Sequence, residues 1–253
     1  MVVLATKNPP PCQSKPKAQN KAILSIIAHM TEKVKYLHSL LLKTGNYAKI
    51  SAMNDQVTPA ETAELLSLAE KCLHIPGDFV ELGCYRGDTS VLLGELLQKS
   101  SDPKCLWLYD SFAGLPDKTV EDSSGAGANF QAGELFVTKR AVVDKLKKHG
   151  LKIANPANPS TIIVKKAWFD ELTPADLPSK IAFAFLDGDL YSSIKTSLGL
   201  VAPRLASQGI MVVHDYNNPE LPGSARAVDE WLRAHVDFTL NMYRSLAILR
   251  RVC

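Results

Sequence analysis

The chain has 253 residues, of which 46% are hydrophobic and 22% charged, and its formal net charge is +3. This length and balance predict one large domain with a sizeable core and room for an extension. They argue against a nucleic-acid-binding protein, because no basic face with stacking aromatics is evident. They also argue against a membrane protein, because no stretch approaches the ~18 apolar residues of a span.

The five cysteines are odd in number, widely spaced and without a CxxC pair. This pattern is typical of buried thiols in a reducing compartment rather than of disulfides or a zinc site. We therefore expect a cytoplasmic protein.

The first part of the chain is predicted to be an extension of the main domain. Residues 1–20 are basic, contain Pro9-Pro10-Pro11 and lack acids, which predicts a disordered tail. Residues 21–43 carry apolar side chains at spacings of three and four, which predicts an amphipathic helix that packs on its own domain or forms an oligomer seam. We place this helix and a following segment at 21–57, and the main domain at 58–253.

From Thr58 onward, predicted helices and strands alternate. Thr58-Pro59-Ala60-Glu61 is typical of a helix start, because Thr58 and Glu61 can form a capping box around a first-turn proline. The predicted helices are 58–73, 88–99, 191–205 and 226–235. The predicted strands are 77–83, 105–110, 161–165, 181–187 and 209–215, followed by a closing antiparallel pair, FTLNMY and SLAILR.

The predicted strands are continuous apolar runs, which indicates a parallel sheet covered by helices on both faces. The fold class is therefore α/β. In open sheets of this kind, ligands bind outside the carboxyl ends of the strands. Residues 113–135 form a long, polar, Gly-rich connection, which we interpret as a functional loop, such as a lid over a pocket.

Acidic side chains follow two of these strands. FLDGDLYSSI places Asp187 and Asp189 after one apolar run, and IMVVHDYNNP places His214 and Asp215 after another. Carboxylates at the ends of buried strands are costly unless something binds them. We expect Asp189 to cap the helix that begins near Tyr191, and a role in the site is the alternative.

The first strand-to-helix turn, ELGCYRGDTS, predicts a ligand site. Gly83 permits a tight turn, Gly87 permits close backbone approach, and the start of the next helix offers free N–H groups. Tyr85 stands where a dinucleotide-binding turn would have its second glycine, which favours a ligand without a pyrophosphate. Asp110, at the end of the second strand, can accept both hydroxyls of a ribose or can cap a helix. With Glu81, it favours a nucleoside-containing ligand.

Four segments resemble, in order and spacing, the macrocin O-methyltransferase (TylF-like) family of class I S-adenosylmethionine methyltransferases: GDFVELGCYRGDTSVLL, DSFAGLP, FLDGDLYSSI and HDYNNP…GSARAVDEW. The resemblance covers roughly residues 52–235. It implies a Rossmann-like seven-stranded sheet with the last strand antiparallel. It also implies transfer of a methyl group from S-adenosylmethionine to a hydroxyl of a sugar or other small natural-product acceptor, in an oligomeric enzyme.

The resemblance also implies residue roles. The expected cofactor contacts are Glu81, Gly83, Cys84, Tyr85, Gly87, Thr89, Ser90, Asp110, Ser111, Phe112, Trp168, Phe169 and Asp187, with Trp168 and Phe169 flanking the adenine. The expected acceptor contacts are Tyr47, Met53, Asp189, Tyr191 and Tyr216. The expected ligands of a divalent metal (Mg or Mn) are Asp187, His214 and Asp215.

His214 departs from the family pattern, whose members commonly have Asp-Asp-Tyr where this chain has His214-Asp215-Tyr216. Magnesium prefers oxygen ligands, whereas imidazole suits manganese, iron or zinc. Two alternatives follow: a different divalent ion binds, or the site works without a metal and His214 is the base. The catalytic residues are therefore predicted to be Asp187 and His214. A non-catalytic cofactor-binding protein of the same fold is the third alternative.

Overall fold

The computed structural model describes residues 56–123, 130–153 and 161–252. The predictions for the tail, the helix at 21–43, Tyr47 and Met53 lie outside these residues. The α-helices are α1 (Pro59–Lys71), α2 (Asp88–Gln98), α3 (Lys139–Lys148), α4 (Tyr191–Val201) and α5 (Pro222–Ala234). The strands are β1 (Asp78–Leu82), β2 (Leu106–Asp110), β3 (Ile162–Lys166), β4 (Ile181–Leu186), β5 (Leu205–Val213), β6 (Phe238–Tyr243) and β7 (Leu246–Arg251).

The strands form one seven-stranded sheet in the order β3-β2-β1-β4-β5-β7-β6. The pairs β1–β2, β1–β4, β2–β3 and β4–β5 are parallel. β7 runs antiparallel to both of its neighbours, β5 and β6. The prediction of a mostly parallel Rossmann-like sheet with its last strand antiparallel is confirmed.

Helices cover both faces of the sheet, as predicted, and each face has its own apolar core. On one face, Leu65 of α1, Leu93 of α2 and Leu146 of α3 are fully buried in one cluster. On the other, Ile194 of α4 and Val228 of α5 are fully buried in a second cluster. In the part of the chain that is described, no helix is long and apolar enough to span a membrane.

Four elements differ from the sequence prediction by four residues or more: α3, α4, α5 and β5. α5 begins at Pro222, four residues before the predicted 226. The helix α3 was not predicted, because Val142 and Leu146 are its only buried residues and the rest of KRAVVDKLKK is mostly charged. Thr138 starts this helix by accepting a hydrogen bond from the Ala141 N–H at 3.2 Å. β5 begins at Leu205, four residues before the predicted 209, so the predicted helical run to 205 ends instead in a 3₁₀ turn.

The carboxyl ends of the central strands share one backbone feature. Tyr85, Phe112, Asp189 and Asp215 follow β1, β2, β4 and β5 and all have positive φ angles, between 41° and 59°. This left-handed conformation costs about 1–2 kcal/mol for a residue with a side chain. Because β1 and β4 are neighbours that lead to opposite faces, these strained exits surround the point where strand order reverses, which is the expected ligand site of such a sheet.

Candidate active site

Gly83 allows the ends of β1 and β4 to touch. Its φ is +90°, and a Cβ added there would lie 1.9 Å from the carbonyl oxygen of Asp187. The contact is completed by the Asp187 N–H, which donates to the carbonyl of Leu82 at 2.8 Å. Glycine is therefore required at position 83 because the backbone of Asp187, which directly follows β4, leaves no room for a side chain.

Asp110 closes the turn between β1 and α2. Its Oδ2 accepts hydrogen bonds from the backbone N–H groups of Cys84 and Tyr85, both at 3.0 Å. Its Oδ1 accepts from the N–H of Phe112 at 2.7 Å. The helix-cap alternative for Asp110 is wrong, since its partners lie in two loops. A carboxylate has about four acceptor sites, so room for a ligand hydroxyl remains.

Glu81 is a buried acid in β1, just before the same turn. It is 1% exposed, and its Oε2 accepts a hydrogen bond from the Ser90 hydroxyl at 2.6 Å. Ser90 therefore binds Glu81 and does not line the cavity described below. Gly87, with φ of +75°, is the N-cap of α2 and does not line the cavity either. Burial, followed by the charges of Asp110 and Glu81, raises the pKa of the Cys84 thiol well above its usual range.

The acids that follow β4 meet the histidine and acid that follow β5. His214 Nδ1 lies 2.8 Å from Asp187 Oδ1 and 3.0 Å from Asp215 Oδ2. Asp215 Oδ2 is buried and has no hydrogen-bond partner among the described residues. Asp215 Oδ1 accepts from the Asn218 amide at 2.8 Å. The structure thus brings together Asp187, His214 and Asp215, the residues predicted as metal ligands, with one possible ligand atom of each within 4.8 Å of the others.

The charged groups of this cluster shift one another's pKa values. Burial alone lowers the pKa of His214, but the carboxylates of Asp187 and Asp215 outweigh it and hold that pKa well above its usual range. Burial raises the pKa of Asp187 despite the opposing charge of His214. Burial and the charges of Asp187 and Asp215 raise the pKa of Asp189 well above its usual range. Asp189 is therefore the carboxyl of this cluster that the surroundings push most strongly toward its neutral form.

A cavity opens at this point, with about 750 Å³ of space that includes the open solvent at its mouth. Eleven predicted site residues line it: Glu81, Gly83, Cys84, Tyr85, Thr89, Asp110, Ser111, Trp168, Phe169, Asp187 and Asp189. The sequence prediction missed Gln56, Gly114, Leu115, Pro116, Leu135, Gly188 and Ser193, which also line it. Gly114, Leu115, Pro116 and Leu135 lie in the segment 113–135, which the sequence predicts to be a functional loop. That prediction was the signal that could have identified them.

Other predicted site residues lie behind the cavity wall. His214 and Asp215 are 4% and 5% exposed and do not line the cavity, and the same is true of Phe112. The Tyr191 hydroxyl donates to Glu230 at 2.6 Å, so this side chain joins α4 to α5. The Tyr216 hydroxyl donates to Asp229 at 2.7 Å. Neither tyrosine lines the cavity.

The predicted capping role of Asp189 is wrong. Residue Leu190 precedes α4 and supplies no side-chain cap. The N–H of Tyr191 instead donates to Asp122 Oδ1 at 2.7 Å. Asp122 lies 69 residues away in sequence, in the loop after β2, so no local pattern could reveal it.

The sheet order and the acid-lined cavity at its switch point are those of a Rossmann-like fold, whose ligand site is expected at the carboxyl ends of the strands. A family model, Macrocin-O-methyltransferase (TylF), matches residues 64–244. The chain belongs to this family.

Two curated relatives are O-methyltransferases. One is the 8-demethyl-8-(2,3-dimethoxy-alpha-L-rhamnosyl)-tetracenomycin-C 4'-O-methyltransferase of Streptomyces olivaceus, 29% identical over 147 residues. The match covers 56% of this chain and 54% of that protein. The other is the demethyldecarbamoylnovobiocin O-methyltransferase of Streptomyces niveus, 28% identical over 165 residues, covering 65% and 61%. The chain thus spans little more than half of each relative's length.

Solved structures share the fold. The calicheamicin methyltransferase CalS11 superimposes with a TM-score of 0.65 at 19% identity, covering 98% of this chain and 99% of that one. The O-methyltransferase NovP gives 0.63 at 23% identity, covering 79% and 84%. TomG of Streptomyces achromogenes, solved in complex with SAM, gives 0.54 at 15% identity, covering 84% and 89%.

Proposed function

We propose that this protein is an S-adenosylmethionine-dependent O-methyltransferase whose acceptor is a hydroxyl of a sugar or other natural product. The observation that carries the proposal is the cavity at the β1–β4 switch point, into which both the glycine turn and Asp187 project. Family membership supports the reaction type. One relative acts at the 4' position of a rhamnosyl group, which supports a glycosidic acceptor.

The cavity lining fits a nucleoside-bearing methyl donor. Asp110 and Ser111 would hold its ribose, and Trp168 and Phe169 offer aromatic faces for its adenine. Glu81, with Thr89 at the start of α2, would surround the methionine end, where helix N–H groups favour a carboxylate. When bound, S-adenosylmethionine supplies an electrophilic methyl group on a positively charged sulfur. The acidic lining suits that positive charge.

Asp187 is the group that we assign to the acceptor hydroxyl. Its side chain is 20% exposed and lines the cavity, whereas the side chain of His214 is 4% exposed and does not. As the acceptor oxygen takes the methyl group and S-adenosylhomocysteine leaves, the carboxylate of Asp187 would accept the hydroxyl proton. Because burial raises the pKa of Asp187, this carboxylate is a better base than an exposed one. His214 then orients Asp187 through their 2.8 Å contact.

The residues present fit a divalent metal. One possible ligand atom from each of Asp187, His214 and Asp215 lies within 4.8 Å of the others. Carboxylates and imidazole are both protein ligands of divalent transition metals. Among these atoms, Asp215 Oδ2 is buried and has no hydrogen-bond partner among the described residues, as suits an atom that would bind an ion. Asp187, His214 and Asp215 would hold the ion, which would lower the pKa of the acceptor hydroxyl.

A metal-free arrangement is supported by a different observation. The two carboxylates that flank His214 raise its pKa, and a protonated imidazole there would neutralise part of the buried acid cluster. In that case the raised pKa of His214 makes it a poor base, and Asp187 remains the proton acceptor. Manganese titration separates the two arrangements: uptake that is lost in Asp187→Ala and Asp215→Ala supports the metal site, and no uptake supports the ion pair.

The test of the cofactor assignment is calorimetric titration with S-adenosylhomocysteine. We expect Phe169→Ala to weaken binding, since stacking of a base on an aromatic side chain is worth about 1–3 kcal/mol. Phe136→Ala is the matched control, because Phe136 is 61% exposed and is not a cavity residue. Asp110→Ala is a poorer test, because it also removes the three backbone hydrogen bonds that close the turn. No binding by the unmodified protein would refute the methyltransferase proposal.

A further inference from the structure

Asp122 is a buried acid that the proposed reaction does not use. It is 3% exposed and lies in a 3₁₀ turn, Val120–Asp122, within the loop that follows β2. Its Oδ2 accepts from the Thr119 N–H at 2.8 Å and from the Thr119 hydroxyl at 3.0 Å. Its Oδ1 reaches across to the buried N–H of Tyr191, the first residue of α4, at 2.7 Å. Both oxygens are thus engaged, one locally and one on a distant element.

The surroundings of Asp122 hold it in one position. A Cβ added at Gly223, near the start of α5, would lie 1.9 Å from Asp122 Oδ1. The carboxylate is therefore wedged between the N-termini of α4 and α5, where helix dipoles favour a negative charge. Arg226 of α5 donates to the backbone carbonyls of Glu121 and Ser123, on either side of Asp122. The turn is thus fixed to α5 by its backbone and to α4 by its side chain.

An apolar cluster joins the same partners independently. Leu115, from the loop after β2, is buried with Leu190 and Leu221, which directly precede α4 and α5. Leu135, from the returning limb of the loop, packs against them. The two limbs are joined by hydrogen bonds, Leu115 N–H to the Glu134 carbonyl at 2.8 Å and Gly133 N–H to the Leu115 carbonyl at 2.9 Å.

The two segments that Asp122 connects, the loop after β2 and the residues before α4, both line the cavity. On the loop side, Gly114, Leu115, Pro116 and Leu135 form part of its wall. On the other side, α4 begins directly after Asp187-Gly188-Asp189, which also line it. We infer that Asp122 is a positioning residue that sets the loop wall of the cavity against the aspartates before α4. This inference rests on the proposed function, because it presumes that the cavity is the cofactor and acceptor site.

The test is calorimetric titration of S-adenosylhomocysteine into the full chain and three variants. Asp122→Ala removes both hydrogen-bonding oxygens, and we expect at least a tenfold loss of affinity. Asp122→Asn keeps an acceptor for the Tyr191 N–H, and we expect affinity within about threefold of the unmodified protein. Asp117→Ala is the matched control, an exposed aspartate in the same loop, and should leave affinity unchanged.

The outcomes separate the two proposals. If the unmodified protein does not bind S-adenosylhomocysteine, the proposed function fails. If it binds and Asp122→Ala binds equally well, the positioning role is overturned while the function stands. If Asp122→Asn is as weak as Asp122→Ala, the hydrogen bond to α4 is not what positions the wall, and the inference also fails.

Hydrogen exchange keeps the inference testable if Asp122→Ala does not fold. In the unmodified protein, S-adenosylhomocysteine should slow exchange at Leu115, in the loop wall, and at Tyr191, in the first turn of α4, together. Protection of the loop without protection of Tyr191 would overturn the coupling. Joint protection, with the rescue by Asp122→Asn, supports it.

Discussion

Gly83→Ala is the sharpest perturbation of the candidate site. The new Cβ would lie 1.9 Å from the Asp187 carbonyl oxygen, whereas such contacts essentially never fall below 3.0 Å, so one backbone must move by more than 1 Å. The positive φ adds about 1–2 kcal/mol for a residue with a Cβ. Overpacking against a fixed neighbour adds about 1–3 kcal/mol. We therefore expect a loss of about 2–5 kcal/mol in the free energy of unfolding.

The same displacement moves Asp187, since its N–H is bonded to Leu82 at the end of β1. A misplacement of about 1 Å in a reacting group can lower a rate by roughly 100-fold. Urea denaturation followed by tryptophan fluorescence measures the stability, and titration with S-adenosylhomocysteine measures the site. Gly199→Ala is the matched control: Gly199 lies within α4 with nothing near its added Cβ, and alanine there should stabilise by about 0.5–1 kcal/mol. A loss below 1 kcal/mol for Gly83→Ala, with unchanged ligand affinity, would refute the reasoning.

Two further predictions concern charged residues. Burial opposes ionisation of Glu61, but hydrogen bonds from Ser245 and Thr58 outweigh it and lower its pKa below 4.5. Its contribution to stability is thus present above the unfolded-state pKa and lost as pH falls through the folded-state pKa. Glu61→Gln should lower the free energy of unfolding by about 1.5–3 kcal/mol at pH 7 and by progressively less below pH 4.5. Urea denaturation at several pH values measures this loss. An equal loss at all pH values would contradict the prediction. For His214→Asp, we expect Mg²⁺ binding to tighten relative to Mn²⁺ binding, and fewer protons to be released when the metal binds. Calorimetry in buffers of different ionisation enthalpy measures both quantities. An unchanged metal preference would show that His214 is not a ligand.

Most of the fold was predictable because its signals are local. The continuous apolar runs of β1, β2, β4 and β5 and the capping box at Thr58 each depend on residues close in sequence. The helix α3 was missed because only two of its residues are buried, which leaves too few apolar positions to establish a period. β5 was predicted to begin too late because LASQ lacks the apolar run that marks the rest of the strand.

The site residues that could be predicted from the sequence are those that lie at the ends of strands. The acids and glycines at the ends of β1, β2 and β4 were found because parallel strands bring their carboxyl ends to one edge. What the sequence could not show is which of those groups reach the cavity. Tyr191 lies two residues from Asp189, yet helix geometry turns its hydroxyl to Glu230. Asp110 accepts from the backbone N–H groups of Cys84 and Tyr85, and Asp122 accepts from that of Tyr191. These groups lie in distant segments and have no signature in residue type.

The acids at the strand ends coexist because protein groups satisfy most of their charge. Asp110 accepts three backbone hydrogen bonds, Glu81 accepts the Ser90 hydroxyl, and burial with neighbouring charge raises the pKa of Asp189. Asp187 Oδ1 and Asp215 Oδ2 both lie within 3.0 Å of His214 Nδ1, and the two carboxylates raise the pKa of the imidazole. An aspartate at position 214 would place three carboxylates there, which would require a cation. With histidine at this position, a positive charge on the imidazole would meet that requirement, and a divalent ion would have to displace the imidazole proton in order to bind Nδ1.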